Sequence, residues 1–178
     1  PGDDADLQSR YIEATVTAGP RAIRVASIYL PNGNPIATAK FTYKLAWMDR
    51  LRRHAQALLA TETPVVLAGD YNVIPEPEDA RFPQNWLDDA LFQPESRQAF
   101  RSLLNLGYTD ALRACRSESG LYTFWDYQAG AWNKDHGIRI DHLLLSPQAA
   151  DLLHNTVIEK HVRAWDKPSD HVPVMIEL

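Results

Sequence analysis

The segment Pro64-Val65-Val66-Leu67-Ala68, running into Gly69-Asp70-Tyr71-Asn72, constrains the fold more than any other part of the chain. A short apolar run bounded by a proline and a Gly-Asp turn signal reads as a strand buried on both faces, and such a strand needs a covering layer on each side. The neighbouring patterns supply candidates for those layers. From Thr38 to about Leu59, Phe41, Leu45, Met48, Leu51, Ala55 and Leu58 recur at three- and four-residue spacing, which predicts an amphipathic helix with Lys40, Lys44, Arg50, Arg52 and Arg53 on its basic face. Tyr11 to Thr17 and Ala22 to Leu30 read as two strands joined at Gly19-Pro20, and Pro31-Asn32-Gly33-Asn34-Pro35 as a rigid loop that Tyr29 faces. Pro75 to Pro94 reads as an irregular surface segment, followed by a helix capped by Ser96 and running to about Leu106. Strands are expected over Leu121 to Tyr127, Ile138 to Leu145, Thr156 to Ala164 and Val172 to Leu178, with a short helix over Pro147 to Leu152. Strands outnumber helices, so the expected class is α/β, a layered sheet sandwich flanked by helices.

A chain of 178 residues with 45% hydrophobic content supports one domain, residues 1–178. Twenty-three acidic against eighteen basic residues, a net charge of −5, argue against nucleic-acid binding through bulk charge and leave a local patch as the alternative. A single cysteine, Cys115, excludes an internal disulfide framework and a thiolate zinc cluster and fits a reducing, cytoplasmic setting. Neither a bilayer-length apolar run nor a signal peptide at Pro1 to Asp6 is legible, so no membrane is expected as a partner. The acidic opening without methionine reads as a truncated or processed chain.

Asp141 lies in the apolar stretch Ile140 to Leu145, where an ionised carboxylate needs a partner. His171, just before the last strand, is one candidate; Arg139, two positions back and on the same face of a continuous strand, is the other. Asp70 with Asn72, and Asp170 with His171, place oxygen donors in two loops, a chemistry that suits magnesium or manganese rather than zinc. Gly-Asp and Ser-Asp are also ordinary turn formers, so neither loop is specific alone.

The motifs Ile28-Tyr29-Leu30-Pro31-Asn32-Gly33, Lys40-Phe41-Thr42-Tyr43-Lys44-Leu45, Gly69-Asp70-Tyr71-Asn72, Thr123-Phe124-Trp125-Asp126-Tyr127, Gly137-Ile138-Arg139-Ile140-Asp141 and Ser169-Asp170-His171 follow one another in this order. Together they resemble the successive motifs of the exodeoxyribonuclease III and AP endonuclease family, within the DNase I-like endonuclease/exonuclease/phosphatase superfamily. The resemblance implies a four-layered α/β sandwich of mainly antiparallel sheets, of which this chain is similar to the C-terminal two-thirds. The N-terminal strands of the family, including the glutamate that is its main magnesium ligand, have no counterpart here. The implied activity is Mg2+-dependent hydrolysis of double-stranded DNA at abasic sites and removal of 3′ nucleotides or 3′ blocks, with Mn2+ as a possible substitute.

Carried over residue by residue, the resemblance implies that Asp70 orients or deprotonates the attacking water and Asn72 holds that water or the phosphate. Tyr29 would donate to the phosphate, and His171, held by Asp141, would neutralise charge on the phosphoryl oxygens. Asp170, Asp70 and Asn72 are implied near the metal. Phe124, Trp125, Ile138 and Ile140 resemble the apolar lining that accepts a flipped, base-free sugar, with strand-core packing as the competing reading. Trp132 and Lys134, in the loop before Gly137, suit insertion into a DNA groove, with an exposed loop as the simpler alternative. Hydrolysis of another phosphate ester, or non-catalytic binding of DNA or a partner, stay open. The missing strands also imply an exposed apolar surface and self-association.

Overall fold

The computed structural model describes residues 1–178 apart from the side chain of Ala18. Seven strands form two sheets, one of five strands in the order β1-β2-β3-β5-β4 and one of two, β6-β7. β1 (Tyr11–Ala18) and β2 (Arg21–Tyr29) pair as the expected antiparallel hairpin; β2 and β3 (Val65–Asp70) run parallel. A parallel neighbour requires a crossover, and α1 (Ala39–Leu59) supplies it. The side chain of Thr38 accepts from the Lys40 N–H and caps this helix. β3 then pairs antiparallel with β5 (Asp141–Leu145), and β5 with the two-residue β4 (Thr109–Asp110). The remaining elements are α2 (Pro94–Leu104), α3 (Ala111–Cys115), α4 (Pro147–Ala150), and the antiparallel pair β6 (Asn155–Ile158) and β7 (Val174–Glu177).

Strand alternation divides the core between the two faces of the large sheet. Ala26, Ile28, Val65 and Leu67 pack against Trp47, Met48, Leu51, Ala55 and Leu58 of α1. On the opposite face, Val25, Val66, Leu143 and Leu145 meet Ile176 and Leu178 from the β7 end of the chain. The apolar run of β3 is thus covered from both sides, as its sequence requires. The expected mixed α/β, mainly antiparallel fold is what forms.

Several local expectations are corrected. The strand expected from Ile138 begins only at Asp141, because Ile138 makes isolated bridges to Ala80 and Phe124 instead of joining a ladder. Leu121 to Tyr127 is an irregular segment, and the stretch expected as strand to Ala164 ends at Ile158 and turns into a 3-10 segment. Ser96 is no cap; it lies buried within α2, donating to the Ala90 carbonyl at 2.6 Å. On β1, Ile12 and Val16 share the face opposite α1 and are 71% and 52% exposed, since β6 and β7 cover only the far part of the sheet. The helix of the chain that is longest, α1, is not apolar enough to cross a membrane, nor is any other helix among the described residues.

Arg139 is not the partner of Asp141. With no strand continuous through both residues, its guanidinium is buried and donates to Asp79 through Nε at 2.8 Å and Nη2 at 3.0 Å, and to Asp110 through Nη1 at 2.7 Å. Arg113 joins Asp79 from the surface side. Arg139 Nη1 also lies 3.1 Å from His142 Nδ1, while His142 Nε2 is 3.0 Å from the Val73 carbonyl. A donor on one ring nitrogen and an acceptor on the other select the neutral tautomer with the proton on Nε2. Burial, together with the neighbouring Arg139 charge, pushes His142 from 6.5 down to about 4. This stabilisation is complete above pH 6.5, where both folded and unfolded imidazoles are neutral, and is lost as pH falls from 6.5 towards 4. Thermal melts should therefore record a loss on the order of 3 kcal/mol across that interval, and His142→Gln should flatten this part of the pH dependence.

Candidate active site

The register of three strands places the first acidic residues side by side. Tyr29 is the Cα partner of Asp70 across β2 and β3, and Asp70 is the partner of Asp141 across β3 and β5. Cross-strand partners share a face, so these three side chains line one edge of the sheet on the side facing β6 and β7. His171 enters from the loop before β7, its Nδ1 3.0 and 2.9 Å from the two Asp141 carboxylate oxygens. Thr123 Oγ1 donates to Asp141 Oδ2 at 2.6 Å and accepts from the Ile140 and Asp141 N–H groups, each at 3.2 Å. Asp141 is thus fully partnered, and its grip on Nδ1 leaves Nε2 as the ring nitrogen available to a ligand.

The electrostatics are asymmetric. Burial, and then the charge of Asp141, push Asp70 from the ordinary 3.8 up to about 6. Burial opposes the charged form of His171, but the hydrogen bond to Asp141 and the charges of Asp141, Asp70 and Asp170 outweigh it and raise its pKa. The edge therefore holds a carboxylate of raised basicity beside an imidazole whose charged form is favoured over that of a free histidine.

Asn72 sits in the left-handed region at φ 47° and is buried. Its backbone N–H donates to Asp70 Oδ1 at 2.8 Å, and its Nδ2 donates to Asp70 Oδ2 at 3.0 Å and to the Leu30 carbonyl at 2.9 Å. Asn32 Nδ2 donates to Asn72 Oδ1 at 3.1 Å. Both amide donors of Asn72 are consumed inside the protein, so its geometry holds Asp70 in place and leaves only residual acceptor capacity on Oδ1 for a water or cation.

Three contributors carried no assigned role in the sequence reading: Thr123, Asn32 and Lys44. Lys44 is not on a solvated basic face; it is fully buried, with Nζ donating to the Asn72 carbonyl and, at 3.0 Å, to the Asn32 carbonyl. Burial pushes this ammonium down to about 7 against the pull of Asp70 and Asp89. The signal was present: positions 41, 44, 48, 51, 55 and 58 form one three-four stripe, which puts Lys44 on the buried side of α1. Gly33 is the corresponding accommodation, at φ 91°, since a Cβ there would approach Lys44 Cδ to 2.6 Å.

The residues expected to line a pocket separate into two groups. Phe124 is half-buried, pairs with His171 as an isolated bridge and packs on its ring with centroids 5.0 Å apart. Ile138 and Ile140 lie behind it, only 2% and 3% exposed within a core that includes Ile74, Leu91 and Phe92. Trp125 is fully enclosed and corrects the expectation that it forms pocket wall: its indole donates to Asp135 at 3.2 Å and its ring packs on Trp132. Trp132 is accordingly tied into this cluster, while exposed Lys134 bonds the Ala129 carbonyl at 2.9 Å within its own loop. Asp170 adjoins His171, and its carbonyl accepts from the Trp125 N–H at 2.9 Å.

Asp70, Asp141 and Asp170 are hard oxygen donors, and a raised Asp70 pKa marks carboxylate charge that a cation would relieve. Among the described residues no three His, Cys, Asp or Glu side chains converge as a closed metal-holding group. The donor set fits a largely hydrated cation resting on one or two carboxylates, the usual manner of Mg2+, and does not fit a protein-only cage.

Comparison with known proteins supplies the context. Residues 3–171 match the family described as the endonuclease/exonuclease/phosphatase family. Exodeoxyribonuclease III of Haemophilus influenzae is 28% identical over 185 residues, covering 99% of this chain and 69% of the relative. An exodeoxyribonuclease of Bacillus subtilis is 30% identical over 84% of this chain and 58% of its own length. Among solved structures, a 3′ phosphatase from Neisseria bound to a product DNA hairpin superimposes with a TM-score of 0.91 at 36% identity, covering 97% of this chain and 66% of that one. An AP endonuclease from Archaeoglobus fulgidus gives 0.89 at 33% identity, with the same two coverages.

Two outcomes test the geometry. Asp141→Asn should lower the His171 pKa, because it removes the hydrogen-bonded charge that outweighs burial, and imidazole NMR titration reads this directly. Lys44→Met should destabilise the fold by about 2 kcal/mol or more, since it strands two carbonyls, Asn32 and Asn72, without their donor; denaturant unfolding measures it.

Proposed function

The chain belongs to the endonuclease/exonuclease/phosphatase family, and from that premise we propose that it carries the phosphodiesterase site of a DNA repair nuclease acting on double-stranded DNA. The substrates in this reading are the backbone at abasic sites, 3′-terminal nucleotides and 3′ blocks. The observation that carries it is the contiguous row Tyr29, Asp70, Asp141 and His171 at one sheet edge.

The chemistry follows from the row. Asp70, with basicity raised to about 6, accepts the proton of the attacking water as its oxygen bonds to phosphorus; the P–O3′ bond breaks, and the departing 3′ oxygen takes a proton from solvent to leave as a hydroxyl. Asn72 keeps both Asp70 oxygens aimed. His171, charged and held at Nδ1, offers Nε2–H to a phosphoryl oxygen on which negative charge builds, a stabilisation that is largest in the transition state. Tyr29 is 56% exposed and presents its hydroxyl to a phosphate, with the Arg10 guanidinium 5.1 Å from its ring centroid. Asp70 and Asp170, with residual capacity on Asn72, would hold Mg2+ or Mn2+, which supplies Lewis-acid charge to the phosphate. The local patch that −5 net charge demands then consists of His171, Arg10 and the cation.

The absence of a three-residue acidic or imidazole cluster among the described residues favours a second reading, in which the chain binds DNA or a partner without cutting. Cytoplasmic residence is part of the proposal and agrees with the exposed free thiol of Cys115. So is self-association through the apolar face of β1, where Ile12 and Val16 are exposed.

An end-labelled duplex bearing one abasic analogue separates these readings. Cleavage with Mg2+ that stops with chelator, and that falls at least a thousand-fold in Asp70→Ala and His171→Ala, is the expected result for the nuclease. Retention on the duplex without cutting at any Mg2+ or Mn2+ concentration would select the binding reading, and neither cutting nor retention would turn attention to another phosphate ester.

A further inference from the structure

The row at the sheet edge does not end at Tyr29. The β1–β2 register, which pairs Tyr11 with Ile28, continues by one residue, because the Tyr29 N–H donates to the Arg10 carbonyl at 2.9 Å. Arg10 therefore stands opposite Tyr29, and opposed residues of an antiparallel pair share a face. The line across the sheet reads Arg10, Tyr29, Asp70, Asp141. Arg10 closes on its neighbour in two ways: its Nη1 donates to the Tyr29 carbonyl at 3.2 Å, and its guanidinium carbon lies 5.1 Å from the centroid of the Tyr29 ring.

What holds Arg10 in place lies outside the sheet. Residues 1–10 form no helix or strand, yet they are tied to α1. Arg50 donates to Asp3 through Nη1 at 2.7 Å and to Asp6 through Nη2, and the Tyr43 hydroxyl donates to Asp6 at 2.7 Å. Asp6 accepts in turn from the Gln8 N–H at 3.2 Å, and Gln8 Oε1 accepts from Arg10 Nε at 2.7 Å. A chain of contacts thus runs from α1 through the arm to the ring of Tyr29.

We propose that Arg10 is a positioning residue that fixes the phenol of Tyr29 against the phosphate, with residues 1–10 as the tether that fixes Arg10. This rests on the phosphodiesterase reading above and adds a residue to it. Tyr29 ends β2 and is 56% exposed, and its hydroxyl forms no hydrogen bond among the described residues. A phenol at a strand end keeps several rotamers open unless a neighbour removes them. A stacked guanidinium does so, because the planar cation is attracted to the ring face while its fork bonds the backbone of the same residue. A lysine there would keep the charge and lose both the plane and the fork. Arg10 Nε and Nη1 are spent on Gln8 and Tyr29, so its route to the phosphate is the ring it holds.

The test is a double-mutant cycle on the end-labelled abasic duplex with Mg2+. Arg10→Met should lower kcat about ten-fold with KM held within about two-fold, and Arg10→Lys should not restore it. In the Tyr29→Phe background, where the hydroxyl to be placed is gone, Arg10→Met should cost less than about two-fold more. Losses that multiply instead, or recovery of kcat by lysine, would mean that Arg10 grips the phosphate itself through its remaining donors, and would overturn the proposal. Asp6→Ala, which cuts the tether at α1, should lower kcat about three-fold alone and leave Tyr29→Phe unchanged; an unaltered kcat, or a loss that persists in Tyr29→Phe, refutes the tether. Melting curves accompany each variant, and Arg10→Gln replaces Arg10→Met if the latter unfolds early. If the unaltered protein does not cut, the nuclease reading fails separately, and NMR reads the placement. Arg10 side-chain protons shifted by the Tyr29 ring, with the shift lost in Tyr29→Leu and reduced in Asp6→Ala, uphold it, and unshifted protons dismiss it.

Discussion

Everything at the edge where Tyr29, Asp70 and Asp141 meet depends on how closely β3 lies against β2. Gly69 has φ 146°, and a Cβ at that position would stand 2.0 Å from the Ile28 carbonyl oxygen. Only glycine permits both this backbone conformation and this approach, so the residue before Asp70 is fixed by packing before any chemistry is considered. Register does the rest. With Ile28 opposite Gly69, Tyr29 must stand opposite Asp70, and pairing on the other side brings Asp141 into line. A slip of one residue in either ladder would send these side chains to the α1 face of the sheet.

That alignment creates an electrostatic problem whose solution has chemical consequences. Two carboxylates on adjacent strands repel, and both are withdrawn from bulk water. Asp141 is relieved by direct hydrogen bonds from Thr123 and His171; Asp70 is held by the amide groups of Asn72 and feels the charges of His171 and Lys44 only at a distance. The difference in partners divides the roles. Asp141 becomes a fixed anion that orients an imidazole, and Asp70 becomes the carboxylate that gains most from taking a proton or a cation. The same inventory explains why Lys44 is tolerated in the core: its two carbonyl acceptors belong to the loops that must stay still for Asn72 to hold Asp70.

The strands and the long helix were legible because they are periodic. β1, β2, β3 and α1 match their sequence patterns within a residue or two, and the residues that meet at the sheet edge lie in motifs the sequence displays, Gly69 to Asn72, Asp141 and Ser169 to His171. What escaped was whatever depends on three dimensions rather than on period. The apolar alternation of β1 marks a sheet face but cannot say whether another layer covers it. Trp125 reads as a candidate substrate contact because it resembles part of the family's apolar pocket lining, and only packing reveals it enclosed by Trp132 and Asp135. Arg139 and Asp141 look like partners two apart on a strand; the strand starts at Asp141, two residues too late for that alternation to hold, and Asp79, sixty residues earlier in the chain, takes the guanidinium instead.

The site thus has two parts with different physical origins. The row at the sheet edge is built from strand ends and amides whose hydrogen bonds are almost all internal, which leaves little freedom to vary without loss of register. The walls of the cavity beside Phe124 come from the 3-10 turn Pro83–Trp86 and the loop through Gln128 and His136, outside the ladders, and their side chains are partly exposed. Only Phe124 belongs to both, touching His171 on one side and the cavity on the other. Phe124 is thus a side chain through which the cavity wall and the imidazole held by Asp141 are in direct contact.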